Sequence, residues 1–228
     1  MWTNPKRLAS VRSRRGMIAF LAVGVCTALL LFTTAFSGAA VARDAAAGVG
    51  PVSDIARHIA GRAVALRDNR NLPFIVIDKT NAEVYLFDAQ GQLRAASRAL
   101  LGLARGDESA PGIGTRRMSS IPPEERTTPA GRFVASMGHD TAGRNILWVD
   151  YANAIALHRV VTSNLREHRL ERLMSGSVSE RRISYGCINV PVEFFERFVV
   201  PSFTGAQGIV YILPETRPAG ESLFGRAR

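Results

Sequence analysis

The chain alternates between short apolar runs and turn-forming residues, and this pattern predicts β-strands over much of its length. FIVID (Phe74 to Asp78) and AEVYLFD (Ala82 to Asp88) flank a KTN turn, and AQGQ then turns into LRAASRALLG. Three strands joined by such short turns predict a β-meander. A last apolar run, GIVYILP (Gly208 to Pro214), is predicted as a buried strand near the end of the chain.

More strand-like runs follow a long polar stretch. That stretch, Leu103 to Arg126, is rich in glycine, proline, serine and charge, and it is predicted as a loop. Its GIGTRR segment lacks the third glycine of a dinucleotide fingerprint, so no cofactor is expected there. A strand is predicted from about Arg132, and RNILWVDY and AIALH, which ends at His158, predict two more.

Three segments carry helical spacing instead. PVSDIARHIAGRAVALRD has a capping residue at Ser53, and NLREHRLERLMS (Asn164 to Ser175) places Asn164 and Glu167 at the spacing of a capping box. VEFFERFVV predicts a short amphipathic helix with Pro191 at its start. The chain is therefore predicted to be mainly β, with a few short helices.

The first 42 residues have the pattern of an export signal. A basic stretch that ends at Arg15 precedes an apolar run from Met17 to about Phe36, and AVA at 40–42 has the form of a cleavage site. The apolar run is also long enough for an uncleaved membrane anchor, so both interpretations stay open. Either way, the rest of the chain is expected in the periplasm or cell envelope, with a tether and short helix at 43–72 and a loose tail at 215–228.

The net charge of the exported part of the chain indicates no specific class of partner. Five of the 29 basic residues and none of the 19 acidic ones lie in the export segment, which leaves a formal charge of +5 on the remainder. Lysine and arginine are scattered rather than arranged in a stripe, and no nucleic-acid motif occurs. We therefore expect no nucleic-acid partner, and contact with a membrane only through the N-terminal segment if it is retained.

The number and position of the cysteines make one of them a candidate reactive thiol. Of the two cysteines, Cys26 lies in the export segment, so Cys187 is alone in the exported part. A lone cysteine in an oxidising compartment is a reactive thiol, an intermolecular bridge or a buried structural residue. Its SYGC context lets Gly186 turn the chain tightly and aim the N–H groups of Gly186 and Cys187 at an oxyanion.

A catalytic thiol needs a base, and the sequence offers four histidines. His58 lies in the first predicted helix, His139 in a predicted hairpin turn and His168 within a helix. His158 ends a predicted strand, which makes it the leading candidate, with His168 second. The absence of HExxH and CxxC argues against a metal site, so no metal or other cofactor is expected.

Four segments in order, FIVIDKTNAEVYLFDAQGQL, TTPAGRF, IALH and ISYGCINV, resemble the catalytic domain of the L,D-transpeptidases of bacterial peptidoglycan. The resemblance spans Phe74 to Pro214 and implies an L,D-transpeptidase-like β-sandwich over 73–214 with a few short helices. It implies Cys187 as nucleophile, ionised with the help of His158 as base, and the carbonyl of Arg159 as the group that orients the base. Ser184 and Gly186 match the motif around the nucleophile.

The same segments depart from the family in three places. Tyr185 stands where the family has a second histidine, Arg159 replaces a small residue, and the basic segment REHRLER is inserted between His158 and Ser184. Its arginines recur every three residues, which indicates either a solvated face or a lid that grips substrate carboxylates. Candidate substrate-binding residues are Asn189, Arg182 and Arg169.

The resemblance implies a transpeptidase that acts on peptidoglycan stem peptides. Through a thioester on Cys187, the acyl group would pass to a second stem peptide or to a lysine of an envelope protein. Two alternatives stay open: an L,D-carboxypeptidase that uses water as acceptor, and a degenerate wall-binding module without turnover. An intermolecular disulfide at Cys187 is a third.

Overall fold

The computed structural model describes residues 50–219 and 223–224. The predicted export signal and most of the tether lie outside these residues. The first element is helix α1 (Asp54–Ala65), which begins after Ser53, whose Oγ accepts a hydrogen bond from the Ala56 N–H. No helix within the described residues combines the length and the apolar character needed to cross a bilayer.

The predicted meander is present. Strands β1 (Phe74–Asp78), β2 (Glu83–Phe87) and β3 (Leu93–Arg98) pair antiparallel, and the two-residue strand β4 (Leu101–Gly102) follows. The Leu103 to Arg126 stretch forms no strand and contains three short 3₁₀ turns, as expected of a loop.

Six further strands complete the fold: β5 (Gly131–His139), β6 (Asn145–Asp150), β7 (Ile155–Arg159), β8 (Arg182–Ser184), β9 (Ile188–Val190) and β10 (Gln207–Ile212). Eight strands form one sheet in the order β3-β2-β1-β10-β5-β6-β7-β9, and β4 and β8 form a small parallel pair. The neighbours β1–β10 and β7–β9 are parallel, and the other neighbours in the large sheet are antiparallel.

The large sheet curls until its two edges nearly meet. Leu100, two residues after β3, exchanges two backbone hydrogen bonds of 2.8 and 2.9 Å with Asn189 of β9. One apolar core inside this curl receives side chains from strands at both ends of the order, such as Ala95 and Ile188. The mainly β prediction with a few short helices is confirmed, and the facing layers belong to one curled sheet.

The central strands are buried on both faces. In β1, Ile75 and Ile77 enter the inner core, whereas Phe74 and Val76 face a second apolar cluster under α1. A strand with apolar side chains on both faces has a continuous apolar sequence, which is why FIVID shows no alternation.

The helical predictions need correction at two points. The expected helix over 164–175 is a 3₁₀ turn (Leu165–Glu167) followed by α2 (Arg169–Met174), because His168 adopts a left-handed conformation with φ of 47°. Asn164 Oδ1 accepts from the Arg166 N–H at 3.2 Å rather than forming the expected capping box with Glu167. After Pro191, the chain is helical in three pieces: α3 (Val192–Phe194), a π-helical turn (Phe195–Val199) and α4 (Val200–Phe203).

The C-terminal segment is less loose than expected. Leu223 and Phe224 are buried in the cluster under α1, and the Phe224 ring lies 5.6 Å from the Tyr211 ring, centroid to centroid. The side chain of Glu215 is also buried, and it belongs to an ion cluster described below.

Candidate active site

Cys187 lies in a tight turn between β8 and β9, and two hydroxyl groups hold that turn. Ser184 Oγ donates to the Cys187 carbonyl at 2.6 Å and accepts from the Gly186 N–H at 3.1 Å. Thr128 Oγ1 donates to the Gly186 carbonyl at 2.8 Å and accepts from the Gly102 N–H at 2.8 Å. Because Ser184 and Thr128 are both buried, the half-buried sulfur is presented by a rigid backbone.

These contacts change the expected oxyanion site. The N–H of Gly186 was predicted to be one of its two donors, but it is already bonded to Ser184 Oγ. The Cys187 N–H has no acceptor in the part of the chain that the structure describes. It can therefore stabilise negative charge that develops beside the sulfur.

Only glycine fits at position 186. Its φ is +126°, and a Cβ there would lie 2.8 Å from Ile155 Cδ1 and 2.8 Å from the Thr127 carbonyl oxygen. The glycine that precedes the cysteine is thus required by the close approach of the TTPAGRF segment, of which Thr127 and Thr128 are part.

Gly186→Ala should lower the free energy of unfolding by about 1–3 kcal/mol, the cost of holding a non-glycine residue in such a conformation. Thermal or urea unfolding of the purified protein measures the loss. Gly176→Ala is the matched control, because a Cβ at Gly176 meets nothing within 4 Å. Equal stability of the two variants would contradict the geometric requirement.

His158 stands at the end of β7 and lines the same pocket as Cys187. Its Nδ1 lies 2.8 Å from the Arg159 carbonyl oxygen, and since a carbonyl only accepts, Nδ1 carries the proton. Nε2 is therefore the unprotonated nitrogen, and it lies 3.2 Å from Asn189 Nδ2. This contact is the one that the resemblance stated in the sequence analysis implies for the Arg159 carbonyl.

Burial dominates the protonation of both candidate groups. It raises the pKa of the Cys187 thiol, although the Ala156 N–H and the charge of Arg169 act in the opposite direction. Burial lowers the pKa of His158, the bond to the Arg159 carbonyl raises it, and the charge of Arg169 lowers it. Both shifts favour a neutral thiol beside a neutral imidazole in the resting pair, whereas the sequence analysis expected a thiol ionised with the help of His158.

The thiol is not bonded to the histidine in this resting state. Cys187 Sγ donates to the Ala154 carbonyl at 3.6 Å, and Asn189 occupies the Nε2 side of His158. The second histidine candidate, His168, is an exposed residue whose Nδ1 lies 3.0 Å from Glu171 Oε2, and it lines a smaller, separate pocket. The structure thus groups Cys187 with His158 and not with His168.

Arg169 is brought to the site by the inserted segment. Its side chain is 12% exposed and forms an ion pair with Glu167 through Nε. One of its terminal nitrogens donates to Asn189 Oδ1 at 2.6 Å. Of the three candidate substrate-binding residues, Arg169 and Asn189 therefore lie at the pocket, in contact with each other.

Arg182, the third candidate, lies elsewhere. Its side chain is 6% exposed and donates to Glu215 at 2.6 and 3.1 Å and to the Lys79 carbonyl at 2.8 Å. Lys79 in turn lies 2.8 Å from Asp107, so four charged side chains form one buried cluster. Arg182 stabilises the strand that precedes the Cys187 turn and does not line the pocket.

Tyr185 and Arg159 both line the pocket. The guanidinium of Arg126 stacks on the Tyr185 ring, 4.0 Å from its centroid, and also donates to the Ile121 carbonyl. Tyr185 therefore ties the long loop to the cysteine turn. The Arg159 side chain pairs with Glu196, while its carbonyl serves His158.

The pocket over Cys187 and His158 has a volume of about 430 Å³. Its lining includes the apolar residues Ile146, Trp148, Ala154 and Ala156 and the aromatic Tyr185. Charges of both signs line the rest: Arg144 pairs with Asp140 at 2.7 Å, and Arg169 with Glu167. Such a pocket suits a peptide that carries both carboxylate and ammonium groups.

Sequence reasoning missed two contributors to the site. Thr128 lies in the TTPAGRF segment and was not among the candidate site residues, yet its hydroxyl donates to the Gly186 carbonyl. Arg126 at the end of the long loop carried no signal, because its partner Tyr185 is 59 positions further along the chain. Within residues 50–219 and 223–224, no three His, Cys, Asp or Glu side chains are grouped to hold a metal ion.

No model of a known protein family and no curated protein matches this sequence. Among solved structures, the fold is similar to a crystal structure of an L,D-transpeptidase from Xylanimonas cellulosilytica, at 14% sequence identity and a TM-score of 0.35. The similarity covers 62% of this chain and 60% of that one, less than two thirds of either. At this level it assigns neither a family nor an activity, so the function is inferred from the site itself.

Proposed function

We propose that this protein is a cysteine acyltransferase of the cell envelope that acts as an L,D-transpeptidase on peptidoglycan stem peptides. The observation that carries the proposal is the pairing of Cys187, on a rigid turn, with a histidine in one pocket. The imidazole of that histidine, His158, is fixed by the Arg159 carbonyl so that Nε2 can accept a proton.

In the first half-reaction, the proton of the Cys187 thiol passes to His158 Nε2 and the sulfur attacks the amide carbonyl before the terminal D-Ala of the donor peptide. The Cys187 N–H stabilises the oxyanion of the tetrahedral intermediate. The C–N bond then breaks, His158 gives its proton to the departing amine, and D-Ala leaves. The product is a thioester, which conserves the energy of the acyl group without a cofactor.

In the second half-reaction, an amine attacks the thioester and gives its proton to His158. The C–S bond breaks, and the thiolate recovers that proton. We propose the side-chain amine of a second stem peptide as acceptor, or the lysine of an envelope protein. The acidic side chains Asp140 and Glu167 at the pocket support an ammonium-bearing acceptor, and the arginines beside them support an acidic donor.

One observation favours a second candidate function. In the resting structure His158 Nε2 is occupied by Asn189 and the thiol donates to the Ala154 carbonyl. A wall-binding module that kept the pocket but lost turnover would have these contacts permanently. For either protein, the export pattern of the first 42 residues supports a location in the periplasm or envelope.

Product analysis separates these functions. The purified protein is incubated with a tetrapeptide whose third residue is diaminopimelate and whose fourth is D-Ala, and products are identified by mass spectrometry. A transpeptidase releases D-Ala and forms a cross-linked peptide, whereas a carboxypeptidase releases D-Ala alone. Binding of the peptide without release of D-Ala would overturn the proposal in favour of the binding module.

A further inference from the structure

Three polar side chains form a chain of hydrogen bonds that ends at the base. Arg169 donates to Asn189 Oδ1 at 2.6 Å, Asn189 Nδ2 lies 3.2 Å from His158 Nε2, and His158 Nδ1 lies 2.8 Å from the Arg159 carbonyl. Both ends of this chain are chemically unambiguous, because a guanidinium only donates and a carbonyl only accepts.

The two ends fix every proton between them. Since the guanidinium only donates, it must face the oxygen of the Asn189 amide, and the NH₂ group of that amide must then face His158. Since Nδ1 donates to a carbonyl, Nε2 must be the acceptor of the Asn189 bond. This arrangement accommodates a neutral imidazole only.

A protonated His158 would bring two donors face to face, Nε2–H against the Asn189 NH₂ group. The amide would have to turn its oxygen towards the imidazolium, but Arg169 holds that oxygen. Asn189 is 1% exposed, and its backbone is fixed to Leu100 in the sheet, so the side chain cannot swing away to solvent. The contact with Arg169 therefore opposes proton uptake by the base.

We propose that Arg169 and Asn189 form a lock that keeps His158 from accepting the Cys187 proton. The lock opens when a carboxylate of the acyl donor binds the Arg169 guanidinium. Arg169 lines the pocket, and its second terminal nitrogen donates to no group among the described residues. A carboxylate can engage both terminal nitrogens at once and displace the Asn189 oxygen. The freed amide then turns its oxygen to the imidazolium.

This lock deepens the proposed function, since it makes an acidic acyl donor the trigger of its own reaction, and it rests on that function only for the identity of the carboxylate. No bond other than S–H and N–H changes: the proton leaves Sγ and arrives at Nε2. Arg169 and Asn189 are positioning residues, because they act through His158.

The charged and titratable groups that line the pocket with His158 come from three parts of the described chain. Cys187 and Tyr185 lie on the cysteine turn, Arg169 and Glu167 on the inserted segment, and Arg144 and Asp140 on the β5–β6 hairpin. The neighbouring Arg159 also lines the pocket, and its guanidinium pairs with Glu196. Arg144 lowers the pKa of His158 through its charge, as Arg169 does, but it does not contact Asn189. Arg144→Met is therefore the matched control for loss of charge without loss of the lock.

The test is an NMR titration of His158 in the full chain, which requires no turnover. Asn189→Ala and Arg169→Met should each raise the pKa of His158. The first removes the opposed donor, and the second frees the Asn189 amide to turn its oxygen to the imidazolium. Adding Asn189→Ala to Arg169→Met should raise the pKa of His158 by less than Asn189→Ala raises it in the wild type, since the two residues act together. The pKa changes caused by Arg144→Met and by Asn189→Ala should be fully additive in the corresponding double variant. An unchanged or lower pKa in Asn189→Ala, or additivity of Arg169→Met with it, would overturn the lock.

Thiol reactivity gives a second readout. Asn189→Ala should be alkylated at Cys187 by iodoacetamide about fivefold faster than wild type at neutral pH, the factor that corresponds to one neutral hydrogen bond of about 1 kcal/mol. Slower alkylation would mean that Asn189 merely orients the base, and it would overturn the lock.

The trigger is tested with glutarate and its neutral diamide as probes. Glutarate should raise the pKa of His158 in the wild type more than in Asn189→Ala, and glutaramide should leave it unchanged. An equal rise in both proteins, or no rise in the wild type, would overturn the trigger. Failure of the transpeptidase assay alone leaves these results intact, so the two proposals fail separately.

Discussion

We expect a carbapenem to form a covalent adduct with the wild type, Cys187→Ala to form none, and His158→Ala to form it about 10²–10⁴-fold more slowly. The first variant has no nucleophile. The second keeps the sulfur but lacks the acceptor for its proton, and burial raises the thiol pKa, so few thiolates are present at neutral pH. Intact-protein mass spectrometry over time measures both rates.

His168→Ala is the matched control for the histidine. His168 is exposed, pairs with Glu171 and lies outside the pocket of Cys187, so its removal should leave the rate of adduct formation unchanged. If His168→Ala slowed the reaction as much as His158→Ala, the assignment of the base would be wrong. An adduct on Cys187→Ala would contradict the nucleophile.

The pH dependence follows from the same two groups. His158 accepts a proton only when it is neutral, and burial holds its pKa below the ordinary 6.5. The wild-type rate should therefore stay high as the pH falls to about 6.5 and decline only below it, as the imidazole becomes protonated. In His158→Ala the thiol must ionise unaided, and since burial raises its pKa, the rate should keep rising into alkaline pH.

The strands were largely predictable from the sequence because each is encoded locally. FIVID is β1 from Phe74 to Asp78, as the apolar run predicted, and the meander follows from the turns around it. The break in the helix at His168 was not predictable, because a single left-handed residue leaves no mark on the spacing of the leucines and arginines around it.

The candidate site was predictable only as far as residue types. A lone cysteine and a histidine at a strand end can be chosen from the sequence. The contact between His158 and Asn189, however, depends on the parallel pairing of β7 with β9, which sets these two residues opposite each other. Register between strands 31 positions apart is a property of the folded sheet. For this reason the sequence analysis predicted Asn189 as a substrate-binding residue, whereas in the structure it contacts His158.

The same limit applied to Arg182, which was a candidate substrate-binding residue. Its partners are Glu215, 33 positions later, and the carbonyl of Lys79, 103 positions earlier. A charged residue in a strand has no sequence feature that tells a buried ion pair from a surface site. The burial of Glu215 likewise shows why the start of the C-terminal segment is ordered.

Asp107→Asn should lower the free energy of unfolding by about 3–5 kcal/mol, because it removes the carboxylate nearest to the buried charge of Lys79. Lys79 and Asp107 are both buried, 2.8 Å apart, and the next carboxylate, Glu215, is 3.7 Å from Lys79. The backbone N–H groups of Glu215 and Thr216 also donate to Asp107. The change thus loosens the long loop, β1 and the C-terminal segment together, and urea unfolding measures it.

Glu108, the residue after Asp107, provides the matched control for this substitution. Glu108 pairs with Arg217 at the surface, where both side chains are well exposed, so Glu108→Gln should lower the free energy of unfolding by less than about 1 kcal/mol.

Burial alone would raise the pKa of Asp107, but the bonds from Lys79, Thr216 and the two N–H groups prevail and hold it well below its usual range. The stabilisation is therefore complete above about pH 4 and is lost as the pH falls further. Wild type should lose stability in acid more steeply than Asp107→Asn, and parallel curves would show that the cluster contributes nothing.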